Sequence, residues 1–259
     1  MENIKKPSFF LFFTEGVRFF IDFFRCLFFL RSYRFTTKGD GHPVLVVPGL
    51  LCSDFSTRLL RNFLNKLGYT AYGWELGINL GNLKDLKDIK RLEARIDEIY
   101  KHHNEKITLI GWSMGGIYTR EIAKMKPELI HQIITLGSPF ADSYAPNNVI
   151  WLFKYIQNPD NLDKKWRDSL PTPASIRTTA IYSKQDGLVP WETCRESLED
   201  NLHQNIETKG SHWGLVTNYD VFNIIARQLE YYELEMSSKT KEFGLLQSMN
   251  TEQKHPNWA

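Results

Sequence analysis

Apolar and polar positions along this chain fall into two alternating kinds of block. A continuous apolar run at 43–47 suits a strand buried on both faces, and the stretches at 107–110, 130–136 and 176–182 read as further strands. Residues 69–74 and 205–208 also read as strands. Between them, apolar residues recur at steps of three and four. Leu59, Leu60, Phe63, Leu64 and Leu67 form one such set, with Ser56 as its cap and Gly68 as its stop. Leu86, Ile89, Leu92, Ile96 and Ile99 form a second within 84–103, which has a charged outer face. A third helix follows Gly116 and ends at Pro127, and Val221, Ile224, Ile225 and Leu229 set a fourth over 219–234. Strands alternating with helices predict an α/β domain with a doubly wound, mostly parallel sheet. In such a sheet, reacting groups gather beyond the carboxyl ends of the strands.

Three segments depart from that rhythm. Residues 8–30 hold ten of the 17 phenylalanines, and their charges are Glu15, Arg18, Asp22 and Arg25. Steps of three, four and three put all four on one helical stripe, where Glu15–Arg18 and Asp22–Arg25 can pair. Four charges in the middle of the segment argue against a membrane span. The early break at Thr14-Glu15-Gly16 argues against a signal peptide. An amphipathic helix remains, and two destinations fit it equally: a membrane interface, or packing on the domain or a second copy. Residues 141–176 interrupt the alternation, with a short helix expected over 148–157. This stretch reads equally as a small cap over an apolar pocket or as an ordinary rim excursion. Beyond 235 the chain is polar and irregular. The expected organisation is thus an N-terminal helix over 1–38, an α/β domain over 39–235 and a disordered tail over 236–259.

Composition narrows the function. With 32 basic and 30 acidic side chains the net charge is +2, which leaves no broad footprint for nucleic acid. Cys26, Cys52 and Cys194 are odd in number and widely spaced, which argues against a disulfide framework and fits a reducing, cytoplasmic setting. No metal-ligand spacing occurs among the histidines and cysteines, so neither a metal nor a cofactor is expected.

The chemistry centres on Gly111-Trp112-Ser113-Met114-Gly115-Gly116, between a predicted strand and a predicted helix. A serine there, with glycine two places away on each side, is the pattern of a nucleophile elbow. The sharp turn strains the serine backbone and leaves no room for a Cβ at Gly111 or Gly115. In return the hydroxyl stands at a helix start, where free N–H groups favour a developing negative charge. Serine hydroxyls are poor nucleophiles without a base, and the base needs an acid to fix its tautomer. Asp186 and His212 follow predicted strands in the order serine, acid, histidine. Asp186 before Gly187 also suits a plain turn, and His212 has rivals in His42, His102, His103, His131, His203 and His255. Trp112 and Trp213 flank the chemistry, and Ser138 reads as structural.

From about His42 to about Leu229 the chain resembles α/β-hydrolases of the bacterial lipase and esterase kind. The resemblance is carried by Val46-Val47-Pro48-Gly49-Leu50-Leu51, the elbow, Leu136-Gly137-Ser138-Pro139-Phe140, Asp186-Gly187-Leu188-Val189-Pro190 and Gly210-Ser211-His212. It implies a Ser113–His212–Asp186 triad, and an oxyanion hole from the backbone N–H groups of Met114 and Leu50. Pro48 stands where the family usually has histidine. The partner implied is a small-molecule or lipid ester. The same residues also fit an acyltransferase, or a protein of this fold that only binds a ligand or a partner at a membrane.

Overall fold

The computed structural model describes residues 4–33, 39–81, 86–143, 145–149 and 164–234. Six strands, β1 (Pro43–Val47), β2 (Thr70–Gly73), β3 (Ile107–Trp112), β4 (Ile130–Leu136), β5 (Thr178–Ser183) and β6 (His203–Thr208), form one sheet. Their order is β2-β1-β3-β4-β5-β6, and every neighbouring pair is parallel. The helices are α1 (Phe9–Phe13), α2 (Glu15–Ser32), α3 (Arg58–Leu67), α4 (Lys87–His103), α5 (Met114–Met125), α6 (Lys164–Ser169) and α7 over 219–234.

The continuous apolar run at 43–47 is explained by two-sided burial. Along β1, Leu45 and Val47 join a core beneath α4 and α5, while Val44 and Val46 join one beneath α3 and α7. This is the doubly wound α/β architecture the alternation predicts. From β1 the chain steps outward to β2; from β3 onward it steps the other way. The reversal opens a crevice beyond the carboxyl ends of β1 and β3, the usual place for a ligand on such a sheet.

Boundaries differ in detail. Thr57, not Ser56, occupies the N-cap of α3, and Ser56 Oγ donates to Ser53 O instead. Gly68 ends that helix at φ 101°, a left-handed conformation that glycine adopts without penalty. The amphipathic helix expected from 84 begins at Lys87, residues 82–85 lying outside those described.

The N-terminal segment corrects the single predicted helix. It forms two, joined at Thr14, whose hydroxyl bonds back to Phe10 O at 2.8 Å. Glu15 and Arg18 pair as expected, at 3.0 Å. Asp22 and Arg25 form no ion pair among the described residues; the Asp22 carboxylate instead accepts the Ser211 N–H at 3.4 Å. Glu15, Arg18 and Asp22 face the protein body while Arg25 is exposed, and Val17, Phe20, Ile21, Phe24 and Phe28 face out. Surface helices usually do the reverse. Among the described residues no helix is long and apolar enough to cross a membrane.

Of the 141–176 excursion, residues 144 and 150–163 lie outside the described set, and with them most of the helix expected over 148–157. Its closing end is tied to α5: Arg120 Nη2 donates to Thr172 O at 3.2 Å, and Lys124 Nζ to Ser169 O at 2.8 Å. The tail over 236–259 and His255 also fall outside the described residues.

Candidate active site

Ser113 occupies the single-residue turn between β3 and α5 with φ 53° and ψ −121°, as the N-cap of α5. Its N–H donates to Leu136 O at 2.9 Å, and its carbonyl accepts from Ser138 Oγ at 2.6 Å and Gly116 N at 3.0 Å. These bonds hold a backbone conformation that L-residues seldom adopt. The turn also explains the glycines: a Cβ at Gly111 would run into Gly116, and one at Gly115 into Val47 O. Ser138, read as structural despite its Gly137-Ser138-Pro139 setting, supports the elbow through its bond to the Ser113 carbonyl.

Asp186 lies in the loop after β5 and His212 in the loop after β6, adjacent strands in the sheet. Asp186 Oδ1 accepts the N–H groups of Leu188 and Val189 at 2.8 and 2.9 Å, which leaves Oδ2 to bond His212 Nδ1 at 2.5 Å. Both side chains are buried. Burial pulls the His212 pKa down, but the charge and hydrogen bond of Asp186, and then the charge of Glu15, outweigh it and leave the imidazole above its ordinary value. Trp112 Nε1 donates to His212 O at 3.1 Å and seats the same loop against the elbow.

Ser113 and His212 line one cavity of about 320 Å³. Among the described residues Ser113 Oγ makes no direct hydrogen bond to the ring. In ligand-free enzymes this contact commonly closes only when substrate binds. The rival histidines are engaged elsewhere. His42 is held by Asp40 and Thr108, His103 by Tyr72, and His203 by Asp200 and Ala174 O. His131, half-buried beside Tyr232, is pushed down to about 4 by burial.

Leu50 and Met114 also line the cavity, and neither N–H meets an acceptor among the described residues. Two free amides beside a nucleophile candidate are what an oxyanion hole requires. The loop that offers Leu50 is braced by Asn79, which sequence reasoning passed over. Asn79 Nδ2 donates to Pro48 O at 2.9 Å, its N–H to Cys52 O at 2.8 Å, and its carbonyl accepts Leu51 N–H at 2.7 Å. A lone Asn in a glycine-containing loop carries no periodic or motif signal.

The cavity wall is largely apolar. Residues of the 141–176 excursion, among them Val149, Trp166 and Leu170, face Trp112, Leu188 and Trp213 across it. A second, more open cavity of about 600 Å³ lies alongside, lined by Phe19, Phe20, Phe23 and Phe55 and sharing Cys52, Trp112 and Trp213 with the first. Away from the site, Asp40, His42 and Glu233 bring potential metal-ligand atoms within 4.8 Å of one another. Both His42 ring nitrogens are hydrogen-bonded there.

Sheet and helices together define a class. The six-stranded parallel sheet flanked by helices is that of the α/β-hydrolase fold. The model of the PGAP1-like alpha/beta domain matches residues 78–197. Human serine hydrolase BPHL is 29% identical over 147 residues, 53% of this chain and 48% of that protein. The chain thus spans about half the length of the curated relative it matches. Solved structures of similar fold include metagenome-derived lipolytic enzymes described as LipS and LipT. There the TM-score is 0.58 and identity 18%, over 76% of this chain and 95% of that one. Lipase BlEst2 of Bacillus licheniformis gives 0.56 at 20% identity, over 75% and 93%. The monoacylglycerol lipase of Paleococcus ferrophilus gives 0.53 at 16%, over 76% and 96%.

Proposed function

We propose that this chain hydrolyses carboxylic esters through an acyl-enzyme on Ser113. The observation that carries this is the convergence on one cavity of a serine held at φ 53°, two unpartnered amides and a buried Asp186–His212 pair. Ser113 Oγ attacks the ester carbonyl, and His212 Nε2 takes the proton. The Leu50 and Met114 amides hold the oxyanion. His212 then returns the proton to the departing alcohol, and water releases the acyl group by the same steps in reverse. The apolar lining favours acyl chains over polar acids, and the lipase relatives agree in kind.

Hydrolysis of p-nitrophenyl esters of increasing chain length, together with labelling by a fluorophosphonate, tests this. Turnover of at least one ester and labelling confined to Ser113 are expected. Turnover only in the presence of an alcohol acceptor would make the chain an acyltransferase. No turnover and no labelling of folded protein would leave a binding role.

The N-terminal helices suit a lipid substrate. Their outward face carries Phe9, Phe10, Phe13, Phe20, Phe24 and Phe28, with Glu15, Arg18 and Asp22 turned toward the body. Lys5 and Lys6 are exposed at one end and Arg31 at the other. Phe20 of this face lines the second cavity, which lies beside the first and shares Cys52, Trp112 and Trp213 with it, so apolar surface extends from the helix to the neighbourhood of Ser113. Such a face buries well in the boundary between headgroups and acyl chains. Exchanging Phe20 and Phe24 for serine should weaken co-sedimentation with anionic liposomes by more than tenfold, since one decade is about 1.4 kcal/mol and a buried CH₂ alone contributes roughly 0.8 kcal/mol. Hydrolysis of a short soluble ester should be unchanged. Equal liposome binding by the variant would redirect this face to a protein contact.

A further inference from the structure

Glu15 belongs to α2, outside the span that carries the sheet, yet it is almost wholly buried, at 1% exposure. A carboxylate is tolerated there only where donors replace its hydration. Three of its donors are main-chain N–H groups of the loops that bear the candidate acid and base. Oε1 accepts Gly187 N at 2.7 Å and His212 N at 3.1 Å, and Oε2 accepts Trp213 N at 3.3 Å. Gly187 follows Asp186 directly. One carboxylate therefore spans two loops whose separation the β5–β6 ladder does not set, since both leave the sheet before reaching these residues.

The surroundings reinforce the bridge. Arg18 pairs with Glu15 at 3.0 Å and gives its Nη1 to Gln185 O at 2.6 Å, so the acid loop is held from the preceding residue as well. Asn148 Nδ2 donates both to Gly187 O at 2.7 Å and to Pro7 O at 3.2 Å. The α1 backbone sits so close to Gly187 that a Cβ there would stand 2.5 Å from Leu11 O. The charged groups around the imidazole are Asp186 from the β5 loop and Glu15 from α2. Arg18 is paired to Glu15, and Asp22 lies one bond further off, on Ser211 N.

We propose that Glu15 is a positioning residue of the triad: its carboxylate, delivered by the N-terminal helix, holds the Asp186 and His212 loops at their working separation and sets a second negative charge beside the imidazole. The proposal rests on the triad reading given above. It makes the Phe-rich segment part of the catalytic apparatus as well as a surface element. The direction in which Glu15 moves the His212 pKa, upward, agrees with it.

The test uses the full chain with Glu15→Gln, Glu15→Asp and Asp22→Asn variants, assayed on a soluble p-nitrophenyl ester across pH. Glu15→Gln keeps an accepting oxygen but loses the charge and turns an NH₂ toward one of the loops. Its kcat should fall about 10- to 100-fold, as displacements of reacting groups by about 1 Å do, with KM within about twofold. Its acid limb of kcat/KM should move to lower pH, because the imidazolium loses a neighbouring anion. Glu15→Asp keeps the charge but is one methylene short, so kcat should fall while the limb stays. Asp22→Asn removes another carboxylate of the same helix, whose single 3.4 Å bond to Ser211 N bridges no second loop, and should lower kcat by at most about threefold with the limb in place.

Folded Glu15→Gln with the parent's kcat and acid limb would overturn the proposal. So would an Asp22→Asn loss equal to that of Glu15→Gln, since docking of the helix would then be the whole effect. Should Glu15→Gln not fold, Glu15→Asp with the parent's kcat overturns it equally. NMR titration of the His212 ring in parent and Glu15→Gln reads the same coupling without turnover. An inactive parent therefore counts against the ester-hydrolase reading, while an unmoved His212 titration counts against Glu15.

Discussion

Exchange of Ser113 for alanine is expected to lower kcat by about 10⁵–10⁶-fold and to abolish fluorophosphonate labelling, with the fold intact. Without the hydroxyl no acyl-enzyme forms, and the remaining amides and imidazole have no nucleophile to assist. A residual rate above that in water should persist, because the candidate oxyanion donors at Leu50 and Met114 are main-chain groups that the exchange leaves in place. Ser113→Gly separates chemistry from backbone strain. At φ 53° and ψ −121° the serine occupies a region costing about 1–3 kcal/mol, which glycine enters freely. The glycine variant should be as inactive as the alanine variant, yet melt at a higher temperature. Full labelling of either variant, at another residue, would remove Ser113 from the mechanism.

Much of this was legible in the chain, for identifiable reasons. Strand β1 is buried on both faces and carries an unbroken apolar run, which is easy to see; β3, β4 and β5 are nearly as deeply buried yet admit polar residues such as Thr108, Gln132 and Thr179. The elbow is legible because its geometry restricts residue type at three positions within five. Asp186 and His212 are legible only as a pair in order behind a serine. Alone, an Asp before a Gly and a His after a Ser are ordinary turn residues. The position of His212 on the strand next to that of Asp186 comes from the sheet, where β5 and β6 are neighbours.

The misses share a cause. Glu15, Asp22 and Asn79 act through main-chain groups far away in sequence, and a main-chain N–H has the same chemistry in every residue but proline. Nothing about Gly187, His212 or Trp213 advertises that their amides need an acceptor from residue 15. The charged stripe of α2 was visible, but its i,i+3 spacing suggested pairing within the helix. Only Glu15 and Arg18 follow that suggestion. Asp22 is drawn to the Ser211 amide because the helix lies with its polar side against the β6 loop. Which side of an amphipathic helix faces the protein is decided by what the protein offers. Here it offers unsatisfied amides, whose burial without a partner costs about 1–3 kcal/mol each.

The second large effect is expected at Asp186. Oδ1 of this residue already accepts two N–H groups, from Leu188 and Val189, and Oδ2 accepts the third donor, His212 Nδ1. Asparagine can present only one oxygen. Two backbone donors hold it in place of Oδ1, so the NH₂ must face the imidazole. A donor opposite Nδ1 forces that nitrogen to accept and moves the ring proton to Nε2, the atom that has to take the Ser113 proton. The base is then blocked by its own tautomer, although every loop is where it was. A loss of about 10⁴ in kcat follows, with KM little changed. Removing the carboxylate also removes the largest influence that raises the His212 pKa, leaving burial to pull it down. The acid limb of the residual activity should therefore move to lower pH, further than in Glu15→Gln. Activity within tenfold of the parent at neutral pH, or a limb that stays in place, would mean that Asp186 is a turn residue and that another acid orients the ring.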